Sequence, residues 1–189
     1  MRRITTAAIA GALLVPAASG VAFADTSTNT GAVATYDGTT INLAAGWQGA
    51  HACVVLSTSA VQCYDTEAEM RDALAASAAQ SPEVRFGAPR AAASPATSCS
   101  SPTTLVTLYA STSFGGNSLS FQSTSGWANL SVYGFDNQME SWVNQTPCNA
   151  TVADGTGGSG DQLTLAARSS SSNVGTTWKD RASSINVLP

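Results

Sequence analysis

The stretch from Tyr109 to Phe121 constrains the fold of this chain more than any other part of the sequence. Residues 103–109 alternate well enough for a strand, with Leu105, Thr107 and Tyr109 on one face and Val106 and Leu108 on the other. The alternation returns at Leu119 and Phe121, after the adjacent pair Gly115 and Gly116. Glycine supplies the positive φ angle or the close backbone approach that a folded hairpin needs. The stretch therefore predicts two antiparallel strands joined by a tight turn, within a rigid β-structure.

Residues 1–24 have the pattern of a secretion signal. Arg2 and Arg3 precede a short, alanine-rich apolar segment, and Ala22-Phe23-Ala24 fits a small-x-small cleavage site. The apolar segment is interrupted by Pro16 and is too weak for a membrane span of roughly 20 apolar residues. We expect a secreted, extracellular protein whose mature chain starts at Asp25 and contacts no membrane.

The mature chain is acidic. Removing residues 1–24 takes away two of the eight basic residues and none of the twelve acidic ones, which leaves a net charge of about −6. Nucleic acid needs a basic surface, so this charge argues against a nucleic-acid partner. The carboxylates instead suit a divalent cation. We expect a monomer.

Three sequence blocks follow the signal. Residues 25–79 predict a small α+β module in which a disulfide-bonded hairpin packs on a helix that starts at Glu67. Residues 80–98 contain three prolines and predict a linker. Residues 99–189 predict a sandwich of about eight strands, because strand, glycine turn, strand, polar loop and serine occur twice in that order. The predicted fold class is mainly β.

The chain contains four cysteines, and an even number in an exported protein implies disulfides. Of the three possible pairings we favour Cys53–Cys63 and Cys99–Cys148, because each pair lies within one sequence block. Cys53 and Cys63 would also face each other across the predicted hairpin, at the spacing that a disulfide needs. A zinc site is the alternative, but no Cys-x-x-Cys spacing occurs and His51 is the only histidine.

The C-terminal block resembles the βγ-crystallin Greek-key family. Tyr109, four further residues and then Phe-Gly-Gly at 114–116 match the first hairpin of that motif, and two Asp/Asn-containing loops end in serine. The resemblance implies a two-motif Greek-key sandwich with paired calcium loops. The implied calcium ligands are Asp136, Asn137, Glu140 and Ser141 in the first motif, and Asp180, Ser183 and Ser184 in the second.

Three features depart from the pattern of this family. Glu140 stands where serine or threonine is usual, and Lys179 stands where aspartate or asparagine is usual. In the second motif the glycine-rich stretch 154–160 replaces the aromatic and Phe-Gly signature. The alternative role of the loop residues is to close turns through side-chain-to-backbone hydrogen bonds. Any calcium affinity would be of the weak, extracellular grade, and no organic cofactor is expected.

The sequence contains no recognisable catalytic constellation. His51 lies two residues from a predicted disulfide cysteine, and neither G-x-S-x-G nor H-E-x-x-H occurs. Asp136 and Glu140 could mimic the two carboxylates of a glycosidase, but they share one polar loop, which favours a ligand-binding role. We therefore predict a secreted, non-enzymatic binding module.

Two alternative functions remain open. Secreted actinobacterial metalloproteinase inhibitors have a βγ-crystallin-like fold, so the resemblance implies a secreted protease as an alternative partner. Such an inhibitor needs a rigid exposed loop, for which residues 147–149 and 154–161 are candidates. A carbohydrate- or cell-wall-binding module would instead stack an extracellular polysaccharide on Trp127, Trp142 or Trp178.

Overall fold

The structure is a computed structural model that describes residues 31–57, 59–80, 99 and 103–188. The predicted signal peptide, and the predicted linker after its first residue, lie outside the described residues. Within the described part, no helix combines the length and the apolar character that a membrane crossing requires.

The described residues form twelve strands and one α-helix. In chain order the first half comprises β1 (Val33–Tyr36), β2 (Thr39–Asn42), β3 (Ala52–Ser57), β4 (Ala60–Tyr64), α1 (Glu67–Gln80), β5 (Val106–Ser111) and β6 (Gly115–Phe121). The second half comprises β7 (Trp127–Asn129), β8 (Ser141–Asn144), β9 (Ala150–Ala153), β10 (Gln162–Leu165), β11 (Ser169–Ser171) and β12 (Ser184–Val187).

Strands β5 to β12 form two Greek-key motifs that exchange their third strands. The first motif contributes β5, β6 and β8 to one sheet, and its β7 pairs with β12 of the second motif. In the same way β11 of the second motif pairs with β8 of the first. The two sheets pack face to face, which confirms the predicted mainly β, eight-stranded Greek-key sandwich.

The N-terminal hairpin joins the sandwich rather than forming a sheet of its own. Strand β3 runs parallel to β6, with Ala52 opposite Ser118 and Val55 opposite Phe121, so one eight-stranded sheet has the order β11-β8-β5-β6-β3-β4-β1-β2. Trp47 also enters the common core, where its indole N–H donates to the Tyr133 carbonyl at 2.8 Å. Residues 32–80 and 103–188 thus share a sheet and a core.

The large sheet is buried on both faces at β5, where Val106, Thr107, Leu108 and Tyr109 are all buried. Val106 and Leu108 point into the sandwich core. Leu105 belongs to a second cluster with Met70 and Leu74 of the helix α1, on the opposite face. As the sequence predicts, α1 begins after Thr66, whose Oγ1 accepts a hydrogen bond from the Glu69 N–H at 3.2 Å.

Both predicted disulfides are formed. Cys53 faces Cys63 across the β3–β4 hairpin with a Cα–Cα distance of 4.1 Å. Cys99 is bonded to Cys148 with a Cα–Cα distance of 5.3 Å, which ties the chain before β5 to the loop after β8. All four cysteines are paired, so zinc ligation by cysteine is excluded.

Tyr109 links the large sheet to α1. Its hydroxyl donates to Glu67 Oε1 at 2.9 Å, and Arg71 donates to the same carboxylate oxygen. Burial, together with the negative charge of Glu67, raises the pKa of Tyr109 from 10.0 to about 12.

The raised pKa of Tyr109 has a consequence for stability at high pH. A group whose pKa is higher in the folded state stabilises the fold below its unfolded pKa of about 10, and this contribution is lost as the pH rises toward about 12. We expect tyrosinate absorbance to show a late-ionising phase that disappears in Tyr109→Phe and moves to lower pH in Glu67→Gln. Ionisation of every tyrosine near pH 10 without unfolding would contradict this assignment.

Candidate calcium-binding loops

The Tyr109 hairpin is closed by a serine from the loop that was predicted to bind calcium. Residues Thr112–Phe114 form a short turn, in which Ser113 has a φ of 58°. Ser141 Oγ donates to the Ser111 carbonyl at 2.6 Å and accepts from the Phe114 N–H at 3.1 Å. Ser141 is fully buried. Its hydroxyl therefore closes the folded hairpin by bonding to the backbone on both sides of the turn, an arrangement called a serine clamp below. This is the alternative role considered above, in which loop residues close turns rather than bind calcium.

The second motif repeats this clamp without the aromatic signature. Ser184 Oγ donates to the Gly155 carbonyl at 2.6 Å and accepts from the Gly158 N–H at 3.0 Å. Gly157 has a φ of 63°, close to that of Ser113 in the first turn. The two hairpins therefore follow the same backbone path, although their sequences differ.

Two side chains, whose structural role the sequence did not predict, support the second hairpin. Trp127 packs its indole against Gly158, where even a Cβ atom would collide with the ring, so Trp127 occupies space that a side chain at position 158 would need. Arg181 forms an ion pair with Asp154 and a second one, at 3.2 Å, with Asp161. The sequence signal for this role of Arg181 was the presence of an acidic residue, Asp154 or Asp161, at each end of the glycine-rich stretch, since both need a basic partner.

The two Asp/Asn loops pack against each other with local twofold pseudo-symmetry. Asn137 N–H donates to the Ala182 carbonyl at 2.9 Å, and Asp180 N–H donates to the Met139 carbonyl at 3.2 Å. Asn137 and Asp180 both have a φ of 55°, in the left-handed region that asparagine and aspartate tolerate best after glycine. Each loop therefore places its polar side chains beside the final residues of the other loop.

The first loop, defined here by Asp136, Asn137 and Ser183, carries oxygen atoms that are only partly satisfied. Asn137 Oδ1 accepts from Ser183 Oγ at 3.3 Å, and Asp136 Oδ2 accepts from Asn137 Nδ2 at the same distance. Asp136 Oδ1 is buried and has no hydrogen-bond partner among the described residues. A buried carboxylate oxygen without a partner is costly, so this atom is suited to a cation.

The second loop, defined here by Lys179, Asp180 and Glu140, already contains a cation. Lys179 Nζ lies 2.8 Å from Glu140 Oε1, and Glu140 Oε2 accepts from the Thr112 N–H at 3.2 Å. The hydrogen bond from Lys179 lowers the pKa of Glu140, and the same bond raises the pKa of Lys179. Both carboxylate oxygens of Glu140 are thus engaged, and this loop does not fit calcium.

Comparison with known proteins gives structural similarity without sequence-level matches. No family model and no curated protein matches the chain. A βγ-crystallin from Ciona intestinalis aligns with 44% of this chain and 99% of its own length, at 25% identity and a TM-score of 0.39. A βγ-crystallin domain from Clostridium beijerinckii aligns with 44% of this chain and 97% of its own length, at 24% identity and a TM-score of 0.40.

The exchanged third strands and the two serine-clamped hairpins define the architecture of residues 103–188. The C-terminal half has a βγ-crystallin-like fold. Its two loops are unequal in chemistry, because one contains an unsatisfied carboxylate oxygen and the other an internal ion pair. The part of the chain that the structure describes contains no cluster of three or more His, Cys, Asp or Glu side chains suited to a metal. Any cation in this βγ-crystallin-like domain would therefore depend on amide, hydroxyl, carbonyl and water oxygens as well.

The other residues singled out in the sequence are not among those that define the two loops. His51 Nδ1 is hydrogen-bonded to Asn117 Oδ1 at 2.9 Å. The Cys148 carbonyl, in the loop proposed for protease contact, accepts from Asn144 Nδ2 at 2.8 Å and from Thr146 Oγ1 at 2.9 Å. Trp142 is buried in the core, which leaves Trp127 and Trp178 as the partly exposed tryptophans of the predicted polysaccharide set.

Proposed function

We propose that the protein is a secreted, non-enzymatic binding module that holds one calcium ion weakly in the first loop. The observation that carries this proposal is the buried Oδ1 atom of Asp136, which has no hydrogen-bond partner among the described residues. The disulfides support an oxidising, extracellular setting, in which calcium is abundant enough for a weak site to fill.

The first loop offers oxygen ligands of the kind that calcium prefers. Asp136 would supply a carboxylate oxygen, Asn137 an amide oxygen and Ser183 a hydroxyl oxygen. Calcium takes six to eight oxygens, so backbone carbonyls and water would complete the shell. A single carboxylate among the side-chain ligands favours a dissociation constant of about 10⁻⁴–10⁻³ M, the grade of extracellular modules.

The second loop would take up no calcium, because Lys179 supplies its positive charge. The ammonium group lies against Glu140, and the Asp180 carboxylate adds to the negative field that raises the pKa of Lys179. A divalent ion placed there would meet electrostatic repulsion from Lys179 and would have to displace it from Glu140. This difference between the loops predicts one calcium ion per chain.

Thermal unfolding with matched variants tests the proposal. At calcium concentrations 100 times the dissociation constant, the wild-type protein should gain about 2.7 kcal/mol of stability over a chelator control. Asp136→Asn should lose most of this gain, whereas Asp180→Asn should keep it, since asparagine tolerates the left-handed backbone at position 180. An unchanged wild-type melting temperature, or the opposite ranking of the two variants, would remove calcium from the proposal.

Protease inhibition is the alternative role for the same module. The observation that favours it is the loop at residues 147–149, which is held by a disulfide and by two hydrogen bonds to the Cys148 carbonyl. A loop ordered before binding loses little entropy in the complex. Stoichiometric inhibition of a thermolysin-like protease, abolished when Cys99 and Cys148 are replaced by alanine, would favour this role.

A further inference from the structure

A cleft of about 210 Å³ opens where the N-terminal hairpin meets the sandwich. Val55 at the end of β3 forms one wall, and the loop at residues 123–125 forms another. The rest of the lining comes from the three residues of β7, Trp127–Asn129, and from Val132 and Tyr133 after it. Val55 is the lining residue that the N-terminal block contributes, and it lies opposite Phe121 where β3 runs beside β6.

Tyr133 lines this cleft with a ring that the core holds in place. The residue as a whole is only 7% exposed. The ring is held edge-on against Phe121, with a centroid distance of 5.5 Å, and the Tyr133 carbonyl accepts from Trp47. Burial raises the pKa of Tyr133, so the hydroxyl stays protonated and able to donate. A hydroxyl on a ring held in this way can donate to a ligand at a low cost in conformational entropy.

Trp127 and Asn129 add an aromatic surface and a second donor that are also fixed in place. Gly158 covers part of the Trp127 indole, which prevents the ring from turning. Asn129 Oδ1 accepts from the Gly157 N–H at 2.8 Å, and this bond holds the amide while its Nδ2 has no partner in the described parts of the chain. Rigid aromatic and donor groups lower the entropy cost of binding.

The chemistry of the lining selects a neutral ligand. Val55, Ala128 and Val132 are apolar, the remaining lining residues are polar or aromatic, and no charged side chain lines the cleft. The volume is smaller than the roughly 300–1,000 Å³ of pockets for drug-sized ligands, so it suits one ring-sized group. An aromatic face beside several hydroxyl and amide groups matches a sugar ring, which has apolar C–H faces and a polar rim.

We propose that this cleft binds one ring of a neutral polysaccharide. Trp127 stacks on a face of the ring, and the Tyr133 hydroxyl and the Asn129 amide donate to ring hydroxyls. This inference specifies the ligand of the proposed binding module, but it is independent of calcium, because neither Asp136 nor Asn137 lines the cleft.

Saturation-transfer NMR with cellohexaose, xylohexaose and chitohexaose tests the proposal on the full mature chain. The experiment runs with a chelator present, so that its outcome does not depend on the calcium loop. Ligand concentrations up to about 10 mM allow complexes with millimolar dissociation constants to be detected. In this range we expect saturable binding of at least one of the three oligosaccharides. Absence of saturable binding to all three overturns the proposal.

Matched variants then locate the binding site. Trp127→Ala should weaken binding at least about tenfold, whereas Trp178→Ala should leave it unchanged. Because Trp127 also packs on Gly158, Tyr133→Phe serves as a second test that removes only the hydroxyl and should weaken binding about fivefold. Tyr36→Phe is its control. Wild-type affinity in both Trp127→Ala and Tyr133→Phe overturns the assignment to this cleft.

Discussion

Trp47→Ala is expected to destabilise the entire protein by about 3–5 kcal/mol, although Trp47 lies in the N-terminal block. Its ring is 8% exposed and lies 6.0 Å from the ring of Phe135 in the sandwich core. The substitution also leaves the Tyr133 carbonyl without its indole donor. In urea or thermal unfolding we expect one cooperative transition at a lower midpoint, because the two blocks share a sheet and a core.

Trp178→Ala is the matched control for this variant. Trp178 is only partly buried, and the Arg181 guanidinium lies 5.5 Å from its ring centroid. Its removal should cost less, on the order of 1 kcal/mol. If Trp47→Ala instead produced a separate early transition, with the rest of the protein unfolding at the wild-type midpoint, the N-terminal block would be an independent unit.

Removal of the Cys99–Cys148 disulfide is expected to cost about 4 kcal/mol. The bond closes a loop with a sequence separation of 49 residues, and the chain-entropy relation gives this value for a loop of that length. The loss should appear in the denaturant midpoint of the double variant Cys99→Ala, Cys148→Ala. The second disulfide, with a separation of 10 residues, contributes roughly 3 kcal/mol by the same relation.

Reduction provides the control for the disulfide variant. Cys99 and Cys148 are partly exposed, whereas Cys53 is fully buried, so a mild thiol reductant should act first on the Cys99–Cys148 bond. Reduced wild-type protein should then unfold at the midpoint of the double variant, and the variant should respond little to the same treatment. A loss below about 1 kcal/mol would show that hydrogen bonds such as that from Asn144 to Cys148 hold the loop without the disulfide.

Local sequence patterns were sufficient for the β3–β4 and β5–β6 hairpins and for the two disulfides. Each of these features depends on residues that are close together in the sequence. The signals were the alternation before Tyr109, the glycines at 115 and 116 and the spacing of the cysteines. The parallel pairing of β3 with β6 has no such local signal, because β4, α1, a predicted linker and β5 lie between the two strands in the chain. For this reason the sequence suggested two separate blocks where the structure has one continuous sheet.

The two departures from the family pattern in the calcium loops, Glu140 and Lys179, have one common structural cause. From the sequence, Glu140 and Lys179 were separate departures from the family pattern, in different motifs. In the structure they are the two partners of one ion pair, at 2.8 Å. Glu140 introduces a negative charge and Lys179 a positive one, at positions where the family has neutral or acidic residues. The opposite signs of the two departures were therefore a sequence signal for an ion pair between the loops. The unsatisfied Asp136 oxygen, in contrast, depends on burial that only the structure provides.

The claim that only the first loop binds calcium is tested most directly by the number of calcium ions bound per chain. We expect equilibrium dialysis of the mature protein against radiolabelled calcium to saturate at one ion per chain, with a dissociation constant of about 10⁻⁴–10⁻³ M. Lys179→Asn, which removes the internal cation, should add a second ion. Saturation at two ions in the wild-type protein, or no specific calcium binding at all, would contradict the assignment of one loop to calcium and the other to Lys179.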